Sequence, residues 1–327
     1  MNKVDLEQLS FIGRRSDNQD QCTATCIKEN IYFLAVADGM GGAIGGKYAS
    51  KIVLDTALYV LWDEYSGDVI DSELKGILER IFIEAQHEIA KNIKLKTHLA
   101  GMGTTLTCVL IHHDKYVWGN IGDSRIYLLK KDNFLQITED HTFVEEYIKE
   151  SGGNLPEHII KQYGNYLRKA LDGGTDLADI SPLDKDYELL EDGDIFLLCS
   201  DGLIANKVLK DTSVFRDYIL GTKNIKTAAE QLITYAFRNG SKDNVSVVLA
   251  EFGKRKRIHK NIKYFKFPPR IKKEEQKNII TSKTSIIVFA ISILIVAFVL
   301  LHYIRGNLRK LNATSKAKTV LEKVKTK

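Results

Sequence analysis

With 327 residues, 44% of them apolar and 27% charged, the chain has ordinary globular composition and enough length for a large core, which excludes a disordered or fibrous polymer. The net charge of +5 conceals two regions of opposite sign: Lys254 to Lys327 holds 20 Lys/Arg against 3 Asp/Glu, a net +17, and the 253 residues before it hold 27 against 39, a net −12. Such an acidic region argues against nucleic acid as a ligand, because phosphate backbones require cationic neutralisation, and favours divalent cations.

The opening MNKVDLEQLS holds no apolar stretch of the secretion-signal kind. An alternating run at 21–27 predicts a strand, and apolar 31–37 a second. Helical periodicity occupies 46–62 and 69–93; in the latter Ile70, Leu74, Ile77, Leu78, Ile81, Phe82, Ala85 and Ile89 form one stripe. Further strands are predicted at 104–111, 116–121, 125–129, 195–199 and 245–252, with a third helix at 226–238. Strands come in neighbouring pairs rather than in βαβ alternation, which predicts antiparallel sheets with helices packed outside. Cys22, Cys26, Cys108 and Cys199 form no CxxC pair and have no zinc spacing, so they read as reduced core thiols of a cytosolic chain.

Residues 254–284 form a basic, Pro-containing stretch that reads as a juxtamembrane linker; each Lys or Arg near an anionic lipid surface contributes about 1 kcal/mol, and Tyr264, Phe265 and Phe267 interleave with them. Residues 285–304, SIIVFAISILIVAFVLLHYI, are 20 residues without a charge. As a helix they span about 30 Å, the thickness of a bilayer core, and predict a single transmembrane helix. A short basic tail, 305–327, follows. Positive charge on both sides leaves the orientation rule nearly silent. The missing secretion signal favours a cytoplasmic first region.

Four aspartates stand out by position. Asp38 in FLAVADGMGG, Asp123 in GNIGDSRIY and Asp201 in IFLLCSDGL lie where apolar strands end, and Asp243 in GSKDNVSVV just before one begins. One Asp beside Gly is ordinary turn chemistry. Four at the ends of buried runs would repel one another unless cations held them, and all-oxygen ligation points to magnesium, manganese or calcium rather than zinc.

At this point the chain resembles the metal-dependent protein phosphatases of type 2C, over roughly residues 9 to 252. The matching segments stand in the family's order: GRRSDNQD (13–20), VADGMGG (36–42), GMGTT (101–105), GDSRIY (122–127), TEDHT (138–142), LCSDGL (198–203) and GSKDNVSVV (240–248). The resemblance implies an α+β four-layer α-β-β-α sandwich in residues 1–253, two antiparallel sheets flanked by helices, and a centre of two Mn2+ or Mg2+ ions with a weaker third. It implies that Asp38 bridges the two ions with the Gly39 carbonyl on the first, that Asp201 and Asp243 hold the second, and that Asp123 helps with the third. Asp20 corresponds to the acid that orients water from behind the ligands, Arg15 to the guanidinium that grips the substrate phosphate, and Asn244 to a brace of the Asp243 loop. Gln19 stands where many members have Glu, and Met40 where animal members have His. His141 is expected to be structural. The 143–179 region corresponds to the variable flap, and its glycines at 152, 153, 164, 173 and 174 suit a mobile loop.

The implied activity is hydrolysis of phosphoserine and phosphothreonine in proteins, opposing a bacterial serine/threonine kinase. Implied partners are phosphorylated proteins and membrane lipid, with no nucleic acid. The rival readings are an inactive metal-binding scaffold, a phosphatase of small metabolites, and a lipid-surface binder working through its basic linker.

Overall fold

Period-two alternation builds the sheets. The computed structural model describes residues 4–65, 73–131, 133–153, 155–164, 166–204, 213–255, 257 and 267. One antiparallel sheet joins β1 (Val4–Phe11), β7 (Arg125–Lys130), β8 (Asn133–Gln136), β11 (Ile195–Cys199) and β12 (Val245–Phe252) in the order β1-β12-β11-β7-β8. The other runs β10-β6-β5-β3-β2, from β2 (Asp20–Lys28), β3 (Ile31–Met40), β5 (Leu106–His112), β6 (Lys115–Ile121) and β10 (Glu188–Leu189), with β4 (Gly103–Thr104) on β3 and β9 (Asp179–Ser181) on β6.

On β3, Leu34 and Val36 enter the layer between the sheets, where they meet Val109, Ile126, Phe196 and Val248. Phe33, Ala35 and Ala37 face the opposite way, onto α1 (Gly42–Glu64) and α2 (Leu74–Leu95). A strand with both faces buried reads as a continuous apolar run, as 31–37 does. On the far side α5 (Ser213–Gly221) and α6 (Ile225–Arg238) cover the first sheet; the α6 face that buries Ala228, Ala229, Leu232 and Ala236 packs on β12 and β1. The architecture is therefore the expected pair of antiparallel sheets flanked by helices.

Several details differ from the sequence reading. The 4–11 segment is a full strand paired with β12 from Val4↔Phe252 to Phe11↔Val245; Gln8 and Leu9 break its apolar alternation, so it does not read as one. The first part of the flap is helical, as α3 (Phe143–Ser151) and α4 (Glu157–Tyr163). Thr142 caps α3 by accepting a hydrogen bond from Glu145 N at 3.2 Å, and Gly152 ends it at φ 63°, so that glycine is a helix stop rather than a hinge. Of the cysteines, Cys108 and Cys199 are core thiols, but Cys22 is half-buried and Cys26 exposed, because β2 is an edge strand.

The described residues all lie in the first of the two units into which the chain divides, Met1–Arg270. Early residues of the basic stretch fold onto the first: Arg257 donates to Ile219 O at 3.0 Å and pairs with Glu251, Arg255 donates to Gly193 O at 3.1 Å, and the Phe267 ring lies edge-on to Phe11. Phe267 is thereby engaged with protein, not held ready for a lipid interface. The expected membrane span at 285–304 lies outside the described residues. Among the described residues no helix is long and apolar enough to cross a membrane.

Candidate active site

Register gathers the aspartates. In the first sheet Arg125, Cys199 and Val247 stand side by side on β7, β11 and β12. Asp123 just precedes β7, Asp201 just follows β11 and Asp243 just precedes β12, so all three leave the sheet at one end. In the second sheet Asp38 lies directly opposite Asp20 on the β2–β3 ladder. Arg15, Asp38, Gly39, Asp123, Asp201 and Asp243 line one open pocket of about 530 Å3, whose other wall is the flap segment around Tyr166–Ala170 together with Asp172 and Asp176. Asp20 is buried behind it.

The backbone of Asp38 is held from three directions. Its N–H donates to Thr105 Oγ1, its carbonyl accepts from Thr105 N and from Thr104 Oγ1, each at 2.9 Å, and Thr105 Oγ1 meets Ser124 Oγ at 2.8 Å. The GMGTT segment therefore fixes the strand end that presents Asp38 and ties it to the residue after Asp123. Gly39 lies so close to the Gly46 carbonyl and to Gln19 that a Cβ there would collide with backbone. With its amide oriented so that nitrogen faces the two acceptors beside it, Gln19 donates to the carbonyls of Gly39 at 3.1 Å and Gly42 at 3.3 Å.

Electrostatically the pocket is unsatisfied. Burial lifts the Asp38 carboxyl well above its ordinary range, and Asp20, Asp201, Asp123 and Asp243 push it further. Burial also raises Asp20 to about 7, against the hydroxyls of Ser200 (2.7 Å) and Ser246 (2.8 Å), which donate to Oδ2. Asp20 Oδ1 has no hydrogen-bond partner among the described residues. Asp243 is likewise raised, by burial and by Asp201, in spite of Arg15.

Arg15 Nη2 donates to Asp243 Oδ2 at 2.6 Å, with both side chains partly exposed. Its neighbour Arg14 turns away and lies over the Phe237 ring at 4.8 Å, while Arg15 lines the pocket, with Arg168 and Lys169 on the flap side. Asn244 is no ordinary turn residue. Its buried amide accepts from Gln19 N (2.9 Å) and donates to Ile12 O (2.8 Å) and Asp17 O (3.0 Å), pinning the whole 12–19 loop to the start of β12. Gly13, at φ 63°, packs against the Asp243 carbonyl with no room for a Cβ.

Two motif residues prove architectural. His141 Nδ1 accepts from Gly122 N at 3.1 Å and its Nε2 meets Asp179 Oδ2 at 3.0 Å, joining the Asp123 turn to the flap. Arg125 grips Asp140 through Nε (2.9 and 3.0 Å) and Nη2 (2.6 Å). Sequence reasoning assigned no role to Thr104, Thr105, Ser124, Ser200 or Ser246. The available signal is a serine directly beside two of the aspartates, Ser124 after Asp123 and Ser200 before Asp201.

Among the described residues no three His, Cys, Asp or Glu side chains form a ready-made cage for an ion. The donor set nevertheless fits hard divalent cations. It is all oxygen, it carries uncompensated negative charge, and it includes a buried carboxylate oxygen still lacking a donor. An open site with one or two carboxylates per ion, completed by water, is the coordination that Mg2+ favours.

The protein phosphatase 2C family profile matches residues 8–234. The serine/threonine protein phosphatase PstP of Mycobacterium tuberculosis is 32% identical over 237 residues, 72% of this chain but 42% of that protein. The serine/threonine phosphatase stp of Listeria monocytogenes is 30% identical over 72% of this chain and 91% of its own length. The chain thus spans about two fifths of the mycobacterial relative and nearly all of the listerial one. Among solved structures, the catalytic domain of PstP in complex with two manganese ions superposes with a TM-score of 0.64 at 31% identity, covering 77% of this chain and 99% of that one.

Proposed function

Because the chain belongs to the protein phosphatase 2C family, we propose that it is a serine/threonine phosphatase hydrolysing phosphoserine and phosphothreonine in proteins at a centre of two Mn2+ or Mg2+ ions. The observation that carries this reading is the pocket of mutually repelling aspartates with the Arg15 guanidinium paired to one of them. Asp38, the Gly39 carbonyl, Asp201 and Asp243 would hold the two ions, and Asp123 would help to hold a weaker third. Divalent cations held there lower the pKa of water and offset the charge of the phosphate dianion.

The remaining work falls to the chain itself. Arg15 neutralises non-bridging phosphate oxygens with a charge-assisted fork. Asp20, through its available Oδ1, orients a water from behind. Thr104 and Thr105 keep the Asp38 strand end from moving as charge redistributes. Met40 lines the pocket and carries no transferable proton, so the leaving oxygen takes its proton from water.

The same reading places residues 1–253 in the cytoplasm as the catalytic domain. Residues 254–284 then link it to a single membrane helix at 285–304, with 305–327 as a short tail; the support is a 20-residue stretch without a charge. Its substrates are phosphoproteins made by a serine/threonine kinase, and the acidity of the first region keeps nucleic acid away. The test uses the full chain with defined metals. Phosphothreonine peptides should turn over with added Mn2+ and stop with chelator, while phosphotyrosine peptides are hardly touched. Full activity in excess EDTA would overturn the metal mechanism. Membranes carrying the chain should retain it through high salt and carbonate, since apolar burial is not screened by salt. Release by salt would remove the anchor and leave the phosphatase reading in place.

A further inference from the structure

Beside the catalytic pocket lies a second one of different chemistry. A groove of about 640 Å3 runs between α2 and the 174–183 segment, lined by Phe82, Ile83, Leu177, Ala178, Ile180 and Leu183. Ile83, Leu177 and Leu183 are 51%, 76% and 87% exposed. Large apolar side chains scattered singly over a surface need no explanation, but three sharing one groove with polar residues at its rim mark a place where something docks. The rim is held in shape: Lys75 Nζ donates to the carbonyls of Leu183 and Lys185, each at 3.3 Å.

The wall between this groove and the catalytic pocket is one tied body. Gln86, buried on α2, donates to Ala170 O at 3.1 Å, and its Oε1 accepts from Asp172 N (3.1 Å) and Gly173 N (2.8 Å). Asp176 Oδ2 accepts from Ala170 N at 3.2 Å, and Asp176 lines both pockets. Continuity through a shared, hydrogen-bonded wall indicates what the groove takes. An extended chain advances about 3.3 Å per residue and points successive side chains to opposite faces. A substrate lying across the wall can therefore seat its phosphorylated residue on one side and an apolar side chain on the other.

Resting on the phosphatase reading above, we propose that the groove between α2 and the 174–183 segment is an apolar subsite for a Leu-, Ile- or Met-type side chain of the phosphoprotein substrate. It would make the enzyme selective for phosphosites with an apolar residue at a fixed separation.

The experiment is a leucine scan. A phosphothreonine peptide carries alanine at every other position, and one leucine is walked along both sides of the phosphothreonine. Turnover by the full chain with Mn2+ is measured beside p-nitrophenyl phosphate, which is too small to reach the groove. One leucine position should raise kcat/KM roughly ten- to a hundredfold, as burial of such a side chain implies. The Ile83→Ser/Leu177→Ser variant should lose that gain and keep its p-nitrophenyl phosphate turnover, which also reports that it has folded. A flat scan on wild type overturns the subsite, and so does a leucine preference that survives in the double variant. A flat scan combined with a dimer that the double variant dissociates would give the groove to a second copy of the chain instead. Absence of turnover on every substrate, p-nitrophenyl phosphate included, would count against the phosphatase reading itself.

Discussion

Asp140 and Asp38 are both acidic side chains drawn off the surface, and the fold treats them in opposite ways. Asp140, its side chain 11% exposed, is gripped by the Arg125 guanidinium through both carboxylate oxygens, and Tyr127 OH completes the far side of that cation. Among the described residues no cation is paired with Asp38. The acidic groups that act on it are Asp20, Asp201, Asp123 and Asp243, and the hydroxyls around it hold its backbone rather than its charge. Where charge is buried for architecture, this sequence supplies the opposite charge. At Asp38 the opposite charge is left to come from solution. An uncompensated buried charge costs several kcal/mol, which neutralisation or a cation must offset.

The comparison breaks most visibly under paired substitution. Asp38→Asn should lower kcat by about a hundredfold to a thousandfold or more. The same substitution should make the metal-free protein more stable near neutral pH, because it removes one of several repelling carboxylates. Asp140→Asn should do the reverse. It leaves Arg125 buried without its partner and costs about 3 kcal/mol, read as a lower Tm with or without metal. If chemical denaturation found both variants destabilised alike in the absence of metal, the two aspartates would not differ as argued.

That contrast was only half legible in the sequence. The aspartates at strand ends could be read because apolar runs such as 31–37 and 195–199 stop abruptly at them, and a stop in a buried strand is a local signal. The partners could not be read. Thr105 lies 67 residues from Asp38, Ser246 lies 226 from Asp20 and Asn244 lies 225 from Gln19, and only the sheet register brings them together. Arg125 and Asp140 sit within two quoted motifs, yet their pairing depends on the β7–β8 hairpin, which brings the two motifs together. Strand β1 was hidden by its own polar residues and depends on β12 for its register. The helical first half of the flap was hidden because Gly152 reads equally as hinge and as helix stop; its φ of 63° decides between them.

A pH experiment sharpens the comparison. Asp20 is raised from 3.8 to about 7 by burial, and Asp38 and Asp243 are raised as well. The folded, metal-free chain therefore keeps protons at pH values where the unfolded chain has already released them. The sign follows: stability is fully present on the acid side and falls as pH rises from the ordinary carboxylate range through about 7, where Asp20 gives up its proton. The drop should be on the order of a few kcal/mol across that window. Saturating Mn2+ should flatten it at the neutral end, since cations replace the protons as counter-charge. Metal-free melting curves that did not shift between about pH 5 and pH 7.5 would mean that the cluster is already compensated.

The smallest effect is the most diagnostic, because it concerns the cation that pairs directly with one of the pocket aspartates. Arg15 holds Asp243 Oδ2 at 2.6 Å, yet Asp243 stays raised, since burial and Asp201 outweigh the guanidinium. With the two side chains 50% and 34% exposed, the pair is solvent-screened and worth at most about 1 kcal/mol. A cation arriving at Asp243 must displace Arg15, and the freed guanidinium is then available to phosphate. Arg15→Ala should therefore have two opposed consequences. KM for a phosphothreonine peptide rises about tenfold or more, through loss of a charge-assisted contact. Mn2+ binding without substrate tightens about two- to fivefold in calorimetry, because the competitor and its positive charge are gone. The second change should shrink with added salt, which already screens the pair. If Mn2+ bound the variant no better than wild type at low salt, Arg15 and Asp243 would not be partners in solution. The guanidinium would then stand free for phosphate before any metal arrives.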